Sequence, residues 1–220
     1  MIAIFPGSFK PPHTGHFSIV ENLLKRKDIS EVIILISQKP KPINNGLINM
    51  TSVTEARKEA RKYIRGVDNM SLPEISKKIK ELTVEGKIPC ITQDESYEIW
   101  KLYLSLLPKT KQKKVKLMKS RAKSPVQNGF VIKLGKDEAK KGNKIVLVKS
   151  AKNGANHRFD FYNMTIGKKN IVTLEIPELG DLSSTNMRDL IKNHKYNELK
   201  DFIPKKTPFN KFKQILGLIR

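Results

Sequence analysis

Five consecutive apolar β-formers, Val32-Ile33-Ile34-Leu35-Ile36, constrain this chain more than any other feature. A strand that is apolar on both faces cannot border water. It belongs inside a sheet covered on both sides, as in the parallel sheets of α/β proteins. Upstream, residues 1–5 form a second short apolar run that ends in Pro6-Gly7, the pattern of a buried strand entering a turn. Between the two, Phe17, Val20, Leu23 and Leu24 recur at helical spacing from His16 to Lys27. Strand, helix and strand in this order assemble as a right-handed βαβ unit.

The alternation continues downstream. Residues 38–50, broken by Pro40, Pro42 and Gly46, read as loop. Two capped helices follow: Ser52 with Glu55 opens the first, which stops at Gly66, and Ser71 with Glu74 opens the second, which has Pro73 in its first turn and stops at Gly86. A third capping box, Thr92 with Glu95, begins a helix through Ile99, Trp100, Tyr103, Leu104 and Leu107 that Pro108 halts. Strands are expected at Phe130–Leu134, Lys144–Val148 and Ile171–Ile176, with Val115–Met118 a further candidate. A helix begins near Thr185, and a short one spans Tyr196–Phe202 before Pro204. The expected fold class is α/β, a Rossmann-like doubly wound parallel sheet with helices on both faces.

Composition narrows the function classes. Cys90 stands alone, which excludes an internal disulfide framework and a Cys-rich zinc module. No apolar stretch approaches the roughly 20 residues of a membrane span, and the N-terminus lacks the basic and apolar regions of a signal peptide, so a cytoplasmic location is expected. Lys and Arg number 43 against 21 Asp and Glu, a formal charge of +22. The charge peaks in residues 109–123, with eight Lys or Arg and no acid. Such a surface attracts phosphates, on a nucleotide or on a nucleic acid, without choosing between them.

The chemistry concentrates in Phe5-Pro6-Gly7-Ser8-Phe9-Lys10-Pro11-Pro12-His13-Thr14-Gly15-His16. This stretch lies at the carboxyl end of the first strand and the start of the first helix, where doubly wound sheets bind ligands. Gly7 permits a tight turn and a close approach of backbone amides to phosphate. His13 and His16 flank Gly15, so both imidazoles and the helix's N–H groups can converge on one anion.

With Gly7-Ser8-Phe9 before it, His13-Thr14-Gly15-His16 resembles the HxGH signature of the cytidylyltransferase-like nucleotidyltransferase superfamily. Ser183-Ser184-Thr185-Asn186-Met187-Arg188 is similar to the family's second motif, ISSTxxR, and Asp189–Pro204 to its closing helix. The resemblance implies that an acceptor phosphate attacks the α-phosphate of ATP or CTP and pyrophosphate leaves, with Mg²⁺ carried by the triphosphate, no covalent enzyme intermediate and no metal held by protein ligands. It implies that His13 and His16 contact the triphosphate and stabilise the transition state, together with Arg188 and with Lys39 after the second strand, for which Lys41 is the competitor. Gly7, Ser8, Phe9, Lys10 and Gly15 would line the nucleotide, while Ser183, Ser184 and Thr185 would hold the β- and γ-phosphates. Gly135-Lys136-Asp137 resembles a Gly-x-Asp turn near the nucleoside. Taken alone, Ser183 to Thr185 also suit a plain helix cap, and Arg188 a solvated helix position.

The family passes almost directly from its second strand to the next helix, whereas residues 41–89 intervene here as a helical insertion: a lid, a surface for a homo-oligomer, a nucleic-acid contact or a structural ornament. The nucleotidyltransferase domain is then 1–204, with 205–220 a basic C-terminal tail. Its partners would be ATP or CTP and a small phosphorylated acceptor. The competing reading, drawn from the charge, is a basic nucleic-acid-binding or packaged structural protein that retains the fold.

Overall fold

The computed structural model describes residues 1–48, 50–121, 129–150, 160–176 and 182–219. Its centre is a five-stranded sheet of β1 (Ile2–Gly7), β2 (Glu31–Ile36), β5 (Val115–Lys119), β6 (Ile145–Ser150) and β7 (Ile171–Ile176). The order is β5-β2-β1-β6-β7 and every pairing is parallel. The chain therefore winds outward from β1 to one edge, then returns to lay β6 on β1's other side. That reversal leaves a crevice at the carboxyl ends of β1 and β6, the ligand site of open α/β sheets.

Alternate strand residues feed two cores, as a period of two requires. Ala3, Phe5, Val32, Ile34, Ile36, Val146 and Val148 face α1 (Thr14–Leu23), α4 (Gln93–Leu104) and α8 (Ser184–Lys192). Ile4, Leu35, Ile145 and Leu147 face the opposite layer, where Val131, Tyr162 and Ile166 complete a smaller cluster. The apolar run in β2 is thus buried on both sides. At the β5 edge, Lys116 and Lys119 are exposed; charge of this kind discourages pairing with a second sheet. The basic run is divided between this edge strand and a short helix, α5 (Lys109–Gln112), with 122 and 123 outside the described residues.

Between β2 and α4 the chain leaves the sheet. A two-residue antiparallel pairing, β3 (Lys41–Pro42) with β4 (Cys90–Ile91), closes the neck of this excursion. Beyond the neck, α2 (Val53–Ala60) and α3 (Leu72–Val84) pack on a core of their own, with Ala56, Ala60, Ile75, Ile79 and Ile88 buried. Their start signals operate as the sequence implies: the Ser52 hydroxyl accepts the Glu55 N–H at 3.2 Å, and Glu74 accepts the Ser71 N–H at 2.7 Å.

Two expectations are corrected. Phe130–Leu134 is not a strand but part of α6 (Gly129–Lys140). A five-residue apolar run does not distinguish the two by periodicity, and here Val131 and Gly135, four residues apart, bury one helical face. The segment after Pro204 is likewise more than a basic tail. It forms α9 (Phe209–Ile215), whose Phe212 is fully buried with its ring 6.5 Å from that of Tyr103. Among the described residues no helix is long and apolar enough to cross a membrane.

Phe212→Ala should lower unfolding stability by about 3–5 kcal/mol, the cost of removing a fully buried aromatic ring. Urea denaturation checks this, and a loss below about 1 kcal/mol would show α9 to be dispensable to the core.

Candidate functional site

The loop that leaves β1 is held in an unusual shape. Phe9 has φ 52°, a left-handed conformation that is costly for a bulky side chain. Its ring folds back over Gly7, where a Cβ would overlap it. The same ring stands edge-on to His16 at 4.9 Å and to Trp100 at 5.4 Å between centroids. Phe9 thus lies buried between the strand and the motif helix, and Gly7 is the residue that permits it.

Lys10 follows, fully buried. Its ammonium donates to the carbonyl oxygens of Ser8 and Ser37, each at 3.0 Å, and so ties the ends of β1 and β2 together. Among the described residues it has no carboxylate within ion-pair distance. Burial pushes its pKa down from 10.5 to about 8, partly opposed by Glu95 and Asp94 and reinforced by Lys41.

At the start of α1, His13 is the N-cap residue and its N–H donates to Nδ1 of His16 at 3.2 Å. The proton of neutral His16 therefore resides on Nε2, which becomes its donor. The two imidazoles lie 3.7 Å apart between centroids. Gly15 makes this possible, because a Cβ there would come within 3.0 Å of the His13 ring. Burial, together with His13, holds the His16 pKa well below its ordinary value, so the ring is neutral at pH 7.

The second motif meets the first from the far end of the chain. Ser183 caps α8 by accepting the Asn186 N–H at 3.0 Å, so the plain capping reading holds for this hydroxyl. Ser184 donates to the Pro11 carbonyl at 2.7 Å. Arg188, 6% exposed, donates to the Lys10 carbonyl at 2.6 Å, to Oδ1 of Asn45 at 2.9 Å and to the Thr185 hydroxyl at 3.2 Å. It is not a solvated helix residue: it fastens α8 to the loop after β1 and to the insertion.

These elements enclose a cavity of about 250 Å3 at the β1/β6 crevice, lined by Gly7, Ser8, Phe9, His16, Lys149 and Ser184 among others. The Ser8 hydroxyl is buried with no hydrogen-bond partner among the described residues, a costly state unless a ligand supplies an acceptor. Lys149, nearly buried and 2.8 Å from Glu175, was not singled out from the sequence. Its only signal is its position one residue past the apolar run of β6, and that matters only once β6 is known to neighbour β1. Asn45, which bonds Arg188, the Thr185 carbonyl and Asp189, gave no signal within its turn-like context.

The other expected residues fall elsewhere. Lys39 is exposed after β2, while Lys41 is half-buried, its pKa lowered by burial, then by Arg188 and by Lys39. The cationic cluster is therefore Lys10, Lys41 and Arg188. Gly135 and Asp137 do not form a turn after a strand. They lie inside α6, with Gly135 against Ile145 at the start of β6 and against Ile166, at the opposite end of the sheet from the cavity. Among the described residues no group of three His, Cys, Asp or Glu side chains could hold a metal ion.

Because the Lys10 pKa is about 8 in the folded chain and 10.5 ordinarily, the unfolded chain binds more protons between these values. Stability should therefore rise with pH from 8 to 10.5, by at most about 3 kcal/mol. Denaturant titrations of wild type and Lys10→Met across that range should show the larger gain in the wild type, with Lys41 contributing to both; parallel curves would mean that Lys10 titrates normally.

Comparison with known proteins places this geometry. A family model described as cytidylyltransferase-like matches residues 4–189. The probable nicotinate-nucleotide adenylyltransferase of Fusobacterium nucleatum is 26% identical over 198 residues, covering 87% of this chain and 88% of that protein. Its counterpart from Sulfurimonas denitrificans is 59% identical over 34 residues, a match that spans 16% of this chain and only 19% of the relative's length. Among solved structures, Plasmodium falciparum nicotinic acid mononucleotide adenylyltransferase complexed with NaAD gives a TM-score of 0.52 at 12% identity, over 97% of this chain and 96% of that one. The same enzyme complexed with APC gives 0.55 at 11%, over 99% and 96%; at these identities the likeness is one of fold. None of these matches favours a nucleic-acid-binding role. With both motifs converging at the crevice and the match running through nearly all of the sheet, the chain belongs to the cytidylyltransferase-like family.

Proposed function

We propose that this protein is an adenylyltransferase that moves AMP from Mg·ATP onto the phosphate of a small acceptor, with nicotinate mononucleotide the first candidate, and releases pyrophosphate. One observation carries the reading: the cavity at the β1/β6 crevice gathers the His16 imidazole, the unpartnered Ser8 hydroxyl, Lys149 and the first turn of α8 around one small space. These are donors and cations, suited to a polyphosphate. ATP rather than CTP is supported by the relatives and solved neighbours, which are named adenylyltransferases, and nicotinate mononucleotide by the Fusobacterium protein, which this chain matches over most of its length.

The chemistry asks little of the protein in proton transfer. A phosphate monoester has a second pKa near 6, so at pH 7 the acceptor is already a competent nucleophile. It attacks the α-phosphorus, the bond to the bridging oxygen breaks, and the electron pair leaves with pyrophosphate. The protein contributes position and fixed charge. Neutral His16 donates from Nε2 to oxygens that gain charge in the transition state. The Ser8 hydroxyl and the unpaired N–H groups of the first turn of α8 receive phosphate oxygens. Lys10, Lys41 and Arg188 supply positive potential from behind the loop. The lining suits an anion rather than a bare cation, so Mg²⁺ enters as part of the substrate, on the triphosphate.

Purified protein with Mg·ATP should release pyrophosphate when nicotinate mononucleotide is added, and His16→Ala should lower kcat by about 10²–10³ when assayed well below its unfolding midpoint, which the lost bond from the His13 N–H and the lost contact with Phe9 will lower. The neutral state of His16 further predicts no loss of rate between pH 8 and 6.5 from its protonation. If neither nicotinate mononucleotide nor other phosphorylated acceptors, such as nicotinamide mononucleotide, phosphopantetheine and flavin mononucleotide, elicit pyrophosphate, the reading fails.

A further inference from the structure

The insertion carries a second cavity that the reaction does not require. It measures about 150 Å3 and lies between α3 and the loop after β2, lined by Pro40, Pro42, Leu47, Ile48, Ile79 and Val84, with Lys39, Lys41 and Lys80 also on its wall. Val84 is 74% exposed at this wall, one of two large apolar side chains left so open among the described residues. None of the three lysines has an ion-pair partner among the described residues, although many other lysines of the protein do, among them Lys78, Lys87 and Lys101. The cleft is complementary to a small molecule with an apolar body and an anionic end.

We infer that this cleft binds a small organic carboxylate, aromatic or short-chain, with its apolar part against Leu47, Ile79 and Val84 and its acid group among Lys39, Lys41 and Lys80. The volume lies below the roughly 300–1,000 Å3 of sites for drug-sized ligands, so the occupant is small. A bare phosphate would leave the apolar wall unused. Lys41 lies on the wall of this cleft and also belongs to the cationic cluster with Lys10 and Arg188.

The test needs no turnover, so it stands apart from the proposed reaction. Benzoate and its neutral isostere benzamide are titrated into the full chain without nucleotide and followed by ligand-observed NMR. Benzoate should bind at least tenfold more tightly than benzamide, and Lys80→Glu should weaken benzoate by roughly fivefold or more, the scale of a partly exposed charge contact. Lys80 is exposed on α3 and outside the reaction machinery, so the variant keeps its fold and its basal rate. Val84→Asp, also at an exposed position, should weaken benzoate as well. Inorganic phosphate should not displace benzoate at equal concentration. Equal affinity for acid and amide, binding indifferent to both substitutions, or displacement by phosphate would each overturn the inference.

Discussion

Arg188 is where the parts of this molecule are joined. A guanidinium holds its donors in a rigid planar fork, and here that fork reaches two distant segments, through the carbonyl of Lys10 and the amide oxygen of Asn45, as well as the Thr185 hydroxyl on its own helix. Buried charge is expensive unless it is hydrogen-bonded, and these bonds offset that cost. The sheet sets where the loops emerge, and this side chain, with Ser184 on Pro11 and Asn45 on α8, holds the loop after β1, the insertion and α8 relative to each other. Lysine in its place would keep the charge and lose the geometry. In this structure three of its N–H groups are donated to protein oxygens.

Much of the fold was legible because its signals are local. The run Val32–Ile36, with four β-branched residues in five, reads as an interior strand, and three capping boxes marked three helix starts within a residue. The failures share a cause as well. Phe130–Leu134 is short and apolar, and only tertiary contact with Ile145 and Ile166 reveals α6 as a helix. Residues 209–215 do place Phe209, Phe212 and Ile215 at helical spacing, but within a lysine-rich segment short enough to pass for a tail, and Phe212 finds a place against Tyr103 in the main core.

The site divides in the same way. The placing of Gly7, Ser8, Gly15, His16 and Ser184 at or beside the crevice was readable because it follows from backbone geometry that sequence motifs encode directly. Lys149 and Asn45 were not, because each matters only through a neighbour that strand order or a distant segment provides. Lys41 rather than Lys39 joins the cationic cluster because β3 turns the chain inward by two residues, a consequence of its pairing with β4 across the neck of the insertion. The insertion is thus part of the site's construction, in that its first residues bring Lys41 and Asn45 into place.

The three segments that meet at Arg188 leave the ribosome at very different times. Residues 10 and 45 appear early, and the guanidinium that fastens them stands 178 and 143 positions later. Until then the loop after β1 has no such anchor, and the buried Lys10 has no completed α8 at its side. A chain that ends before residue 188 can therefore build all five strands and part of both cores, yet it lacks the guanidinium that joins the loop after β1 and the insertion to α8.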